Sequence, residues 1–310
     1  MTLGSKDFLS ILNLSPEALE GALAMAAVFK TDRMNGRPHL QVLDGQHVAL
    51  LFEKPSLRTH AAFTIAVREL GGDVIEPSSD VAFGGRESAS DVARNLERWV
   101  RIVVVRTFEQ ARLERFAAAS DRMRVINALT DEEHPCQALA DMQALLERWG
   151  TVKGRTVAFV GDGNNVAASL AQASVMLGMH VRLATPPGFE LNAGLAESVH
   201  RVARFGAIFT QGHDPAAAVT GVDAVYTDAW ASMGQEDDAQ RRVGIFQPFQ
   251  VNAALMAQAG RDALFMHCLP AHRGHEVTDE VIDAPTSIVF DQSENRLHTQ
   301  KALLAMMSSR

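Results

Sequence analysis

Two cysteines, Cys136 and Cys268, are all that 310 residues hold, far too few for a disulfide framework. No apolar run approaches the roughly 20 residues that a membrane span needs. The stretch from Met1 to Ser10 lacks a basic region followed by an apolar core, so a secretory leader is not expected. Positive charge is not in excess either: 29 Lys and Arg against 37 Asp and Glu leave a net charge of -8. No basic surface therefore recommends nucleic acid as a partner. Internal repeats and low-complexity tracts are missing. What is present, 47% hydrophobic and 21% charged residues, is the composition of a globular enzyme, expected in the cytoplasm. The length exceeds that of most single domains, so two domains sharing a cleft are expected.

Short apolar runs alternate with helical patterns along the chain. Helical periodicity runs from Ser15 to Phe29, Arg58 to Leu70, Ser88 to Trp99 and Gln137 to Trp149. His47 to Phe52, Asp73 to Ile75, Arg101 to Val105 and Arg124 to Ile126 read as strands of a first unit. A second unit begins at Thr156 to Val160, followed by a helix to Leu177. It continues with strands at His180 to Thr185, Ala207 to Thr210, Ala224 to Asp228, Leu264 to His267 and Ile288 to Phe290. Alternation of this kind predicts α/β architecture: two doubly wound domains, each a parallel β-sheet flanked by helices, with the active site in the cleft between them. The expected bounds are 1–148 and 151–293, with a last helix over about 294–310 packing back on the first domain.

In open parallel sheets, ligands bind at the carboxyl ends of strands, and the polar motifs fall there repeatedly. Phe52-Glu53-Lys54-Pro55-Ser56-Leu57-Arg58-Thr59 leads a strand into a helix whose first-turn N–H groups, with Arg58 and Thr59, suit an anion. Read alone, it is as readily a capped helix with a surface arginine. Arg106 closes a strand. His134-Pro135-Cys136-Gln137-Ala138-Leu139-Ala140-Asp141 opens a helix where an imidazole and an amide can hold a carbonyl oxygen gaining negative charge. Gly161-Asp162-Gly163-Asn164-Asn165-Val166 is half of a dinucleotide fingerprint. Val166 occupies the third glycine position and no acid closes the next strand, so a nicotinamide enzyme is a poor reading. Asp228 can pair with an ammonium group, and Ser232-Met233-Gly234 has a loop's composition. His267-Cys268-Leu269-Pro270-Ala271-His272-Arg273-Gly274-His275 offers donors for zinc, but its spacing matches no common structural pattern, so no metal is expected. Glu294-Asn295-Arg296-Leu297-His298 opens the last helix.

Taken in order, these segments resemble the transcarbamylase family over nearly the whole chain. Ser232-Met233-Gly234 and His267-Cys268-Leu269-Pro270 mark its ornithine-using branch rather than its aspartate-using one. The resemblance implies transfer of the carbamoyl group of carbamoyl phosphate to the δ-amine of L-ornithine, giving citrulline and phosphate, without metal or other cofactor. It implies that Ser56, Leu57, Arg58, Thr59 and Arg106 hold the donor's phosphate, and that Thr59, Arg106, His134 and Gln137 polarise its carbonyl. Cys268, Leu269 and Arg296 would complete that site; Asn165, Asp228, Ser232 and Met233 would hold ornithine. The catalytic set would be Arg106, His134, Gln137, Asp228, Cys268 and Arg296. A homotrimer, or a multiple of trimers, is implied too.

Three departures from the family's wording cluster on the donor side. Leu57 stands where the phosphate turn commonly has threonine, Ala82 and Gly85 where a loop carries glutamine and arginine, and His60 to Thr64 replaces an arginine-serine-phenylalanine-glutamate pattern. Leucine loses a hydroxyl yet keeps its backbone N–H, so weakened anion binding is expected. Competing readings are a transcarbamylase with another amine acceptor or weakened donor use, and a ligand-binding relative without catalysis.

Overall fold

Strands that lie buried on both faces need near-continuous apolar sequence, and β-branched residues suit them. The computed structural model, which describes residues 4–78, 87–230 and 239–308, uses such runs for the centre of two sheets. The chain divides into two compact units, Met1–Gln143 with Glu294–Arg310, and Ala144–Ser293.

In the first unit, β1 (His47–Phe52), β2 (Asp73–Ile75), β3 (Ile102–Arg106) and β4 (Arg124–Leu129) form one sheet in the order β2-β1-β3-β4. All its ladders are parallel. Helices α1 (Pro16–Met34), α2 (Leu57–Glu69), α3 (Ala89–Leu96), α4 (Gln110–Ala118) and α5 (Pro135–Trp149) follow the same sequence order. One core cluster gathers Leu51, Val103, Val105, Leu113 and Phe116.

The second unit has β5 (Thr156–Val160), β6 (His180–Ala184), β7 (Phe209–Gly212), β8 (Ala224–Thr227) and β9 (Leu264–His267) in the order β7-β6-β5-β8-β9, again parallel. Its helices include α6 (Asn165–Met176), α7 (Ala193–Val202) and α8 (Ala239–Phe246). Both sheets grow outward from a middle strand and then reverse. The reversal falls between β1 and β3 in one and between β5 and β8 in the other. A topological switch point of this kind opens a crevice beyond the strand ends.

The expectation for Ile288 to Phe290 is corrected. These residues are not a strand: Val289 starts the last helix, α9 (Val289–Ser308), and Gln292 N–H already bonds the Ile288 carbonyl in α-helical register. A three-residue apolar run has too few positions to separate a strand from a helix start. Here Ile288 and Val289 are buried while Phe290 is exposed. Further along α9, within the first unit, Lys301 is fully buried. Its ammonium reaches Glu69 at 2.7 Å and His39 Nδ1 at 2.9 Å, and Arg33 holds the same Glu69 at 2.9 Å. One carboxylate thus ties α9 to α1 and α2.

Candidate functional site

In the first unit the site grows from the switch point. Ser56 caps α2: its hydroxyl accepts the Thr59 N–H at 3.2 Å, leaving earlier first-turn N–H groups aimed past the end of β1. Leu57, in that first turn, is 80% exposed. Glu53 and Lys54, just before, brace the turn. Glu53 takes Arg112 at 2.7 Å and the Thr107 hydroxyl, and Lys54 pairs with Asp131 at 2.6 Å over the Phe108 ring.

Arg296, from α9, donates to the Thr59 hydroxyl at 2.7 Å and to Gln137 Oε1 at 2.6 Å. Gln137 in turn donates to Asp141 at 2.8 Å. All four side chains are buried. His134 ends the β4–α5 loop, and its carbonyl accepts the first-turn N–H groups of Gln137 and Ala138. Pro135, the first helical residue, has no N–H to leave unpaired. The loop is fixed from beneath by Thr130, whose hydroxyl donates to Gln110 at 2.7 Å and accepts Glu133 N–H at 3.2 Å. His134 is held neutral. Burial, then the positive charges of Arg296, Arg106 and Arg58, push its pKa well below 6.5. Three guanidinium groups acting on one imidazole make this a place for an anion beside an uncharged hydrogen-bonding ring. Cys136, the thiol of the same motif, is a core residue: it donates to the Asn127 carbonyl at 3.4 Å, and burial pushes its pKa up to about 12.

In the second unit three strand ends converge. After β5, Asn164 caps α6, accepting the N–H groups of Val166 and Ala167 at 3.0 and 3.1 Å. Its amide also donates to Asp228 Oδ2, just after β8, at 2.8 Å. Cys268, just after β9, donates to the other oxygen, Oδ1, at 2.9 Å. Asp228 is therefore aimed by a group on each side. Gly163 is required in the turn, since a Cβ there would meet Leu191 N and Phe189 O at 2.6 Å. Leu269 has φ 58, a strained region for a branched side chain. Its N–H donates to His267 Nδ1 at 2.8 Å, while His267 Nε2 lies 3.2 Å from the buried Glu276. With Nδ1 accepting, Nε2 carries the proton and donates a hydrogen bond to Glu276. Burial raises the Glu276 pKa, but bonds from His267 and the His272 N–H outweigh it, so the carboxyl stays below its ordinary value.

Asp228, His267 and Cys268 bring donor atoms within 4.8 Å of one another. Both His267 nitrogens are engaged elsewhere, with the Leu269 N–H and Glu276, while Cys268 and Asp228 bond each other. Asn165, the first residue of α6, sits beside this group. Ser232 and Met233 lie outside the described residues, as do Ala82 and Gly85. Of the named residues, Thr59, Gln137 and Arg296 are joined directly in one unit, with Arg58, Arg106 and His134 coupled through charge. Asp228 and Cys268 are joined in the other. Sequence reading gave Asp141 and Glu276 no role, and it did not foresee Asn164 holding Asp228 or His267 holding Glu276, although each stands inside or just after a quoted motif.

Residues 6–147 match the family model described as aspartate/ornithine carbamoyltransferase, carbamoyl-P binding domain. Residues 153–307 match the same family's Asp/Orn binding domain. The chain is 45% identical to an ornithine carbamoyltransferase of Thermococcus kodakarensis over 309 residues, covering 99% of this chain and 98% of that protein. It is 46% identical to one of Rhodococcus opacus, covering 99% and 97%. Its fold superposes on the ornithine carbamoyltransferase of Pyrococcus furiosus with a TM-score of 0.94 at 44% identity, covering 99% of this chain and 98% of that one.

Proposed function

Because the chain belongs to the aspartate/ornithine carbamoyltransferase family, we propose that it transfers the carbamoyl group of carbamoyl phosphate to the δ-amine of L-ornithine. The observation that carries this reading is Arg296 bridging Thr59 and Gln137 in a buried cluster at the first switch point, with His134 in the field of Arg58, Arg106 and Arg296. A mixed anhydride of phosphoric and carbamic acids needs a cationic grip on its phosphate. It also needs uncharged donors on a carbonyl oxygen that gains charge during attack. The first-turn N–H groups of α2 with Arg58 and Arg106 supply the grip, and His134 and Thr59 the donors.

The acceptor arrives at the second unit's group. Asp228 takes an ammonium, Asn165 a polar end of the amino acid, and Cys268 with the Leu269 carbonyl lies where the δ-amine sheds its proton. Free alkyl ammonium titrates near 10.4, so the attacking neutral amine must be formed in the site. Attack on the carbonyl carbon makes the C–N bond, the C–O bond to phosphate breaks, and the proton released by the nitrogen passes to the departing phosphate. No covalent enzyme intermediate is needed; positioning and charge stabilisation supply the acceleration. Ser232 and Met233 belong to the same acceptor set, and a three-chain assembly goes with the family reading.

Citrulline formation from ornithine at varied carbamoyl phosphate tests the proposal. Saturable production of citrulline and phosphate in equal amounts is expected. A folded protein that binds carbamoyl phosphate in calorimetry but makes no citrulline would sink it in favour of a ligand-binding relative.

A further inference from the structure

Arg242 is a buried cation that the reaction as described leaves without a role. It stands on α8 at 6% exposure, its guanidinium over the rings of Phe189 and Phe246 at 4.9 and 5.0 Å. Its Nε donates to the Trp230 carbonyl and its terminal nitrogen to Asp162. Those partners sit on the two loops that flank the second switch point, after β5 and after β8. The same loops are tied once more, two residues earlier on one and two later on the other, by the Asn164–Asp228 bond of 2.8 Å. Trp230 is itself sealed in place, 3% exposed and stacked on Phe246 and His275 at 6.1 and 6.2 Å between centroids.

The geometry points to Arg242 and Asp162 as a positioning clasp for the amino-acid acceptor, one that fixes the spacing of Asn165 from Asp228 by locking the two loops together. This rests on the acceptor site proposed above. A charge-assisted bond to a carbonyl and another to a carboxylate, both within a buried aromatic setting, are stronger and better aimed than neutral ones. The single Asn164–Asp228 contact alone leaves the loops free to hinge about it; the second tie removes that freedom. Asp162 responds to both ends of the arrangement. Burial pushes its carboxyl up to about 6, Arg242 pulls it down and Asp228 pushes it up.

The full chain would be compared with Arg242→Gln, Arg242→Lys, Asp162→Asn and the Asp162→Asn/Arg242→Gln double variant. The readouts are kcat, KM for ornithine and KM for carbamoyl phosphate, with the thermal midpoint as control. Arg242→Gln is expected to raise KM for ornithine on the order of tenfold while KM for carbamoyl phosphate moves less than about twofold, the size of effect set by one charge-assisted contact. Arg242→Lys should recover part of the loss, because an ammonium still meets Asp162. The double variant should lie close to Arg242→Gln rather than at the product of the two single effects. An unchanged KM for ornithine, or equal rises in both KM values, overturns the clasp. Should Arg242→Gln fail to fold, Arg242→Lys and Asp162→Asn decide on the same split. A wild-type chain that makes no citrulline sinks the functional reading and the clasp together, whereas an active wild type with an insensitive Arg242 sinks the clasp alone.

Discussion

Arg106 ends β3 at the strand's last position, 5% exposed, at the carboxyl end of an open parallel sheet, where ligands bind. Arg106→Ala should cut kcat by roughly a hundredfold or more while leaving the thermal midpoint near the wild-type value, as loss of a preorganised oxyanion or phosphate contact does elsewhere. Leu57 carries the opposite expectation. Exposed in the first turn of α2, it supplies no side-chain donor, so Leu57→Thr should lower KM for carbamoyl phosphate about five- to tenfold, roughly one hydrogen bond to a charged group. Initial rates at saturating ornithine check both. The residues of this site were partly legible beforehand because each stands at a motif's key place. Their partnerships were not: Arg296 meets Thr59 across 237 positions and Gln137 across 159, and no local pattern joins residues so far apart. The asparagine pair shows the same limit. Two adjacent asparagines at a helix start suit a small zwitterion, yet only the fold shows that Asn164 turns to Asp228.

At the scale of elements, the strand-to-helix turns were readable because cap, proline and glycine chemistry is local. Ser56, Asn164 and Pro135 stand where those rules put them, and the parallel order followed from alternation. The start of α9 was not readable, since three apolar residues satisfy either period. What holds the far part of that helix was hidden too: a lysine in an amphipathic pattern reads as solvated, but Lys301 is buried against Glu69, His39 and the Phe29 ring. Removing one member of a buried pair leaves the other charge stranded. Lys301→Met should therefore destabilise the first unit by roughly 2–4 kcal/mol, measured by urea unfolding. Arg33 remains on Glu69 and softens the loss. Destabilisation below about 0.5 kcal/mol, the usual range of surface substitutions, would show that the pair contributes little.

For the molecule as a whole, two buried histidines weaken the fold in acid, while Asp162, raised to about 6 by burial, works against them. Burial and nearby cations hold His134 well below 6.5, and burial first, against a pull from Glu294, brings His298 to about 4. In both, the unfolded chain binds the proton more tightly. Their contribution is thus complete above 6.5 and is lost as pH falls towards 4. The gap in urea midpoint between wild type and His298→Gln should therefore narrow from pH 7 to pH 5; a gap that does not change with pH would contradict it. A last consequence concerns the two sulfurs. Cys136 lies fully buried with its proton held to about 12, whereas Cys268 is only half-buried, beside Asp228 in the second unit. If the proposed function holds, a maleimide should label Cys268 before Cys136, and ornithine added beforehand should slow that labelling; a rate indifferent to ornithine would count against the acceptor site.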